Sequence, residues 1–331
     1  MKKNLLFIFI GRSLSVALVC CPVMFFAAGC NKDDPEPTSL VDKDITGIII
    51  DVAFRAYCLD YFDADKNGKL SAEEAAAVTH INITGMNIVS LKGIEYFTGL
   101  RELFCGSNSI QILDVSKNTE LINLNCSNNP IQTLDVSKNM ELINLDCSNI
   151  LIQTLDVSKN TKLYHLSCRY NQLKTVDVSN NMVLTVLECD AIQLETLDVS
   201  NNKLLKELSC WACSLQTLDV SNNTNLKNLS CPNNQLETLD ISKNTMLVNL
   251  NCYENQLNTL DVSNDTELAS LLCFDNQLQT LDISKNTNLN TLWAQNNLLT
   301  EITVWKGFPI SLIYNEIAVE VDPGVIFIER E

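Results

Sequence analysis

A cysteine recurs every 21 residues, at Cys105, Cys126, Cys147, Cys168, Cys189, Cys210, Cys231, Cys252 and Cys273. A further copy of the interval starts at Leu289 and puts Ala294 in the cysteine's place. No insertion breaks the period over roughly 200 residues, and periods of this size mark stacked repeats. One coil of 21 residues cannot bury its own apolar groups, whereas a stack of such coils can. The period therefore predicts a solenoid.

One full copy runs from Leu121 to Glu141, and the shared pattern is L-x-x-L-x-C-x-x-N-x-L-x-x-L-D-V-S-x-N. Leu124 and Cys126 alternate with Asn125 and Ser127, which predicts a short strand with leucine and cysteine on one face. Asn129 follows the strand, where a buried amide can satisfy turn backbone. Leu134 and Val136 then return apolar side chains to the core. This pattern matches the leucine-rich-repeat consensus, with cysteine in the last apolar strand position. The expected fold is an α/β-type leucine-rich-repeat solenoid with a parallel β-sheet on its concave face. Ten coils at ~4.8 Å per strand would extend roughly 50 Å. Ile150 and Ile192 replace the turn asparagine, which predicts local irregularity there. Cys213 at the same position is a swap the consensus allows.

The pattern divides the chain. Residues 1–29 start Met1-Lys2-Lys3, continue with an apolar run and end on small residues, as a signal peptide does. The run is shorter than the ~20 apolar residues a membrane span needs. Ala27-Ala28-Gly29-Cys30 resembles the lipobox of bacterial lipoproteins, which implies a lipid on Cys30. Residues 30–47 are the tether. Its start, Asn31-Lys32-Asp33-Asp34-Pro35-Glu36-Pro37, resembles the acidic stretch of surface-exported lipoproteins of the Bacteroides group. That resemblance implies the outer face of the outer membrane. Residues 48–99 form an N-terminal cap, 100–303 the repeats, and 304–331 a C-terminal cap. Strands are expected in the last part around Val319, Val321, Val325, Ile326 and Ile328.

Within the N-terminal cap, residues 48–62 have helical spacing of Val52, Leu59 and Phe62. Asp63-Ala64-Asp65-Lys66-Asn67-Gly68-Lys69-Leu70-Ser71-Ala72-Glu73-Glu74 follows. Its oxygens at positions 1, 3, 5 and 12 and its glycine at position 6 fit the EF-hand calcium loop. Asp63, Asp65 and Asn67 would supply side-chain oxygens and Lys69 a backbone carbonyl. Ser71 would act through water, and Glu74 would offer a bidentate carboxylate. Ser71 and Glu74 also fit a capping box for a helix over 72–79, so Glu74 has a purely structural alternative. A lone loop of this kind should bind calcium weakly and structurally, which suffices outside the cell at ~10⁻⁴–10⁻³ M.

The net charge is −17. Without the first 29 residues the chain holds 20 basic against 40 acidic residues. Nucleic acid needs a basic stripe and is excluded as a partner. Fourteen cysteines in an exported chain would suggest disulfides. Ladder neighbours, however, should stand ~4.8 Å apart at Cβ, and a disulfide wants ~3.8 Å. The expectation is eleven buried free thiols: the nine of the ladder, Cys58 and Cys213. A second ladder, Asp114 to Asp282 at the same period, sits inside L-D-V-S. A cation stripe is one reading; an aspartate accepting bonds from nearby amides is the other and is preferred.

Only two histidines occur, His80 and His165, and no nucleophile elbow, phosphate loop or metal-binding histidine cluster accompanies them. The chain is expected to be a non-enzymatic monomer. What varies between repeats is the outward strand face. Its later half carries Trp211, Tyr253, Leu272, Phe274 and Trp293. The four rings among these are expected to form one exposed strip, with Pro232 small enough to leave it continuous. Exposed aromatics on a rigid face mark a partner site. The alternatives are cover by the C-terminal segment or scattered apolar residues.

The repeats resemble the internalins, in particular the cysteine-ladder member, and leucine-rich-repeat lipoproteins of Bacteroides-type bacteria. The resemblance implies an adhesin that binds an extracellular or host protein. A glycan-binding module is the alternative, because aromatic platforms also stack sugars.

Overall fold

The computed structural model of the chain describes residues 43–308 and 318–330. Twelve strands of three residues stack into one parallel sheet. They are His80–Asn82, Glu102–Phe104, Asn123–Asn125, Asn144–Asp146, His165–Ser167, Val186–Glu188, Glu207–Ser209, Asn228–Ser230, Asn249–Asn251, Ser270–Leu272, Thr291–Trp293 and Ala318–Glu320. The register is constant, so Leu124 pairs with Leu145 and Leu271 with Leu292. The period of 21 thereby becomes a row of identical side chains running across the sheet. Leucine at the strand centre and the cysteine after the strand are buried in every full coil. The path back to the next strand is made of turns and short extended segments rather than helices.

Two rows of polar side chains hold the coils together. In the first, Asn129 Nδ2 donates to the carbonyls of Cys105, Cys126 and Ser127, while its Oδ1 accepts from Ile110 of the coil before. Asn171, Asn234, Asn255 and Asn276 repeat the carbonyl bonds. In the second, fully buried Asn139 donates to the carbonyls of Val115 and Asn118 in the preceding coil, and the repeats from Asn118 to Asn286 copy this except at Asp265. The aspartate ladder follows the preferred reading. All nine carboxylates, from Asp114 to Asp282, accept from the backbone N–H of the serine two residues on, at 2.8–2.9 Å. They close turns.

The residue two after each ladder position, from Ser107 to Asn296, is left-handed with φ between 51° and 57°. Asparagine tolerates this, but Tyr170, Ala191 and Glu254 are also forced into it by the coil. At Ile150 the turn gains a second left-handed residue, Leu151 at φ 68°, as expected of a missing amide. At Ile192 it does not. The second anomaly falls on Ser214, φ 66°, beside Cys213. There a thiol donates to Cys189 O at 3.0 Å in place of an amide with two hydrogens, and the turn adjusts around it.

The N-terminal cap is a helix–loop–helix, Val52–Phe62 and Ala72–Ala77. The first helix starts later than the apolar spacing suggests, and Val52 is 71% exposed. The reason is Asp51, whose carboxylate caps Phe54 N and reaches Val89 N of the first coil. The buried face is Phe54 and Cys58. Both Phe54 and Phe62 meet Phe97, at 6.1 and 5.9 Å. A Cβ on Gly99 would lie 2.5 Å from Ala76 O, so glycine there lets the second helix seat directly on the first coil. Among the described residues all eleven cysteines are free and buried. At the other end, Leu281–Asp282, Glu301–Trp305 and Ile326–Arg330 form a separate three-stranded parallel sheet. The C-terminal residues therefore serve two sheets: Val319 adds to the main one, and Ile326 and Ile328 to the second.

Candidate functional site

The strand residues flanking each buried leucine, with the two residues after each cysteine, form the outer face of the main sheet. Strand spacing sets ring spacing there. Tyr253 and Phe274 occupy the same register on successive coils, and their rings stack at 4.3 Å and 8°. Trp293, on the next strand, meets Phe274 at 6.2 Å. Leu272 pairs with Trp293 in register on the strand before it. All four are half-buried, with part of each surface left to solvent.

Trp211 does not join them. Its ring lies edge-on to Tyr170 at 6.2 Å and 72°. The intervening Pro232 is buried, and two strand spacings, ~9.6 Å, separate the Trp211 and Tyr253 positions. The expected four-ring strip is thus a three-ring tier plus a separate Tyr170–Trp211 pair. Tyr170 was missed because it sits two residues after its cysteine, at the left-handed position, where sequence reading finds only a turn. It is 51% exposed.

The earlier half of the face is polar and ion-paired. Arg169 bridges Glu188 and Asp190, with Nε 3.0 Å from Asp190. His165 Nε2 lies 3.3 Å from Glu188. Ser209 and the Trp211 N–H donate to Asp190 at 2.6 and 2.9 Å. Burial pushes the Asp190 carboxyl up against these bonds, while Glu188, also pressed up by burial, is held below its ordinary value by His165 and Arg169. This cluster borders a depression of about 520 Å³ over the coils of Cys126, Cys147 and Cys168. Ser127, Ser148 and Ser167 are among the residues that line it. Cys168 is fully buried behind the strand, so His165 has no thiol partner.

In the cap loop, Asp63, Asp65 and Glu74 bring carboxylate oxygens within 4.8 Å of one another. Glu74 Oε1 accepts from Ala64 N, and Oε2 from Ser71 N and Oγ, while Ser71 Oγ accepts from Glu74 N. Burial would raise Glu74, but these bonds hold it below its ordinary value. The capping box and the converging carboxylate therefore coexist in one residue. Two of the expected ligands are turned elsewhere. The Ser71 hydroxyl is committed to Glu74, and Asn67 accepts from Lys69 N with its oxygen and donates its Nδ2 to Asp65. The Lys69 ammonium pairs with Asp44 at 3.4 Å. The loop is braced from outside by an antiparallel bridge of Asp44 with Ser71 and by Ile45 N on Leu70 O at 2.8 Å. Cys30 lies outside the described residues.

No protein-family model matches the chain, and no curated protein does. Among solved structures, the functional domain of InlJ from Listeria monocytogenes, which includes a cysteine ladder, superposes with a TM-score of 0.76 at 32% identity. The match covers 87% of this chain and 61% of the InlJ chain. The fold is a leucine-rich-repeat solenoid. The internalin InlF from the same organism covers 87% of the chain at 21% identity, TM-score 0.66, over 95% of its own length. YopM from Yersinia enterocolitica covers 70% at 21% identity, TM-score 0.53, over 51% of its own length. The internalin-like solenoid thus carries the ladder of thiols seen here, with the cap and the sheet face attached to it. Among the described residues no helix is long and apolar enough to cross a membrane.

Proposed function

We propose that this is a non-enzymatic surface protein that docks an extracellular or host protein on the tier of Tyr253, Leu272, Phe274 and Trp293. The observation that carries the reading is the stack of half-buried rings on a sheet whose register cannot shift. Such rings offer apolar area at little ordering cost, which is the chemistry of interface anchors. Similarity to internalins agrees with a binding role. A lipid on Cys30 would tether the chain to the outer membrane. Calcium at Asp63, Asp65 and Glu74 would be a structural cofactor, consistent with the convergence of three carboxylates around a left-handed Gly68.

The test uses the soluble chain from residue 31 to capture a partner from extracellular proteins, followed by affinity measurements on two variants. Truncating an anchor costs over ~2 kcal/mol, so Tyr253→Ala should weaken binding more than ~30-fold. Ser148→Ala should change it little, and both should melt like the wild type. Unchanged binding by Tyr253→Ala would place the partner elsewhere.

A further inference from the structure

Resting on the reading of the aromatic tier as the docking site, we propose that the partner protein meets it with a basic, arginine-bearing segment. From the strand Glu207–Ser209 onward the outer face carries Glu207, Glu254, Asp275 and Glu320, and neither lysine, arginine nor histidine. Glu254 and Asp275 directly follow the two stacked rings, Tyr253 and Phe274. They hold the same place on successive coils: Glu254 N donates to Phe274 O and Asp275 N to Gln295 O, both at 3.0 Å. Glu320 pairs in register with Trp293 and stands at the far end of the tier.

Two observations separate these acids from ordinary surface charge. The first is that they lack counter-ions. The earlier half of the face neutralises its own acids: Glu188 and Asp190 share Arg169, and His165 adds to Glu188. Among the described residues no ion pair includes Glu207, Glu254, Asp275 or Glu320. The second is the turn. Asn128, Asn149 and Asn233 hold the position of Glu254 in other coils, and asparagine tolerates its left-handed backbone. Glu254 stands there at φ 51° without that tolerance, so the turn does not call for the charge.

Rings and acids act on one occupant. Burial pushes the Tyr253 hydroxyl up, and the charges of Glu254 and Asp190 push it further, so the negative potential reaches the stack. A guanidinium stacks on aromatic faces and binds carboxylates through paired N–H groups, which lets arginine satisfy tier and rim together. Lysine supplies the charge without the planar fork. A neutral or acidic partner would press two adjacent carboxylates against an apolar contact with no counter-charge.

The experiment measures fluorescence polarisation of three labelled nonapeptides on the soluble chain. They alternate leucine with arginine, with citrulline or with glutamate; citrulline keeps the shape of arginine without its charge. At ~20 mM salt the arginine peptide should bind at least ~10-fold tighter than the citrulline peptide, and the gap should narrow at ~200 mM. The glutamate peptide should be the weakest. Glu254→Gln combined with Asp275→Asn, checked by its melt, should weaken the arginine peptide at least ~5-fold and leave the citrulline peptide unchanged. Glu195→Gln combined with Glu237→Gln removes the same charge from exposed positions off the sheet and should change neither. Tyr253→Ala should weaken both. Equal binding of the arginine and citrulline peptides, no binding of the arginine peptide at ~1 mM, or equal losses from the two double variants would overturn the proposal. If the two peptides bind equally and Tyr253→Ala weakens both, the docking reading survives and the charge preference falls. If Tyr253→Ala weakens neither, both fall together.

Discussion

A single side chain interrupts the inner asparagine row. Each asparagine from Asn118 to Asn286 passes Nδ2 hydrogens to two carbonyls of the preceding coil, but Asp265 occupies one of these slots. It is fully buried, and neither carboxylate oxygen has a partner among the described residues. The equivalent carbonyls are those of Ile241 and Asn244, so an ionised carboxylate there would face oxygen rather than a donor. Burial, helped by the charge of Asp261, pushes Asp265 up to about 7. Between its unfolded value near ~4 and 7, the folded chain holds a proton that the unfolded chain releases. Stability is therefore lost as pH rises across that window. Asp265→Asn should stabilise the protein, with a gain that grows from pH 4 to 8 and reaches on the order of 4 kcal/mol. Denaturant melts of both proteins at pH 5 and 8 check this; a pH-independent difference would refute it. The nine turn aspartates act with the opposite sign. Bonds from their serines hold Asp114 through Asp261 below the ordinary range, and Asp282 follows despite its partial burial. Their contribution is present at neutral pH and lost as pH falls through the lowered values. The turn aspartates were legible in the sequence, because L-D-V-S names its own serine. Asp265 was not, because its cost appears only once its slot is known to face carbonyls.

Among elements, the cap tests what a local motif can say. The twelve-residue loop and its second helix were legible, since the glycine, the acidic positions and the Ser71–Glu74 pair are all local. The start of the first helix was not. It depends on Asp51 reaching Val89, 38 residues away. The brace from Asp44 and Ile45 was also out of reach, being an antiparallel pairing across the loop. At the C-terminal end, the run of valine and isoleucine signalled strands without saying that they divide between two sheets. Glu74→Gln separates the two duties of this residue. Glutamine keeps an oxygen for Ser71 N, so the helix stays capped, but it removes the charge a cation needs. With calcium at ten times its Kd, binding adds ~1.4 kcal/mol of stability. Chelator should thus lower the melting temperature of the wild type by a few degrees and leave that of Glu74→Gln unchanged. Identical wild-type melts with and without chelator would rule out the ion.

At the scale of the whole molecule, the ladder reports how the solenoid opens. Each coil touches only its neighbours, so a terminal coil breaks one interface on opening and a central coil breaks two. The thiols record this, because each is silent while its coil is closed. Burial pushes Cys58, Cys105, Cys168, Cys231 and Cys273 up to about 12, and all eleven are out of contact with solvent. The soluble chain from residue 31 should give no rapid reaction with a thiol reagent when native, and eleven free thiols when denatured. Slow labelling under native conditions, read cysteine by cysteine by mass spectrometry, should then run inward from the ends. Cys273 has one cysteine-free coil and a terminal strand beyond it, and should label before Cys189, which has four ladder coils on either side. Cys58, buried in the cap, should label faster when calcium is chelated, while Cys189 should not respond. Simultaneous labelling of all eleven would mean that the solenoid opens as one cooperative unit, and the nearest-neighbour account would fail.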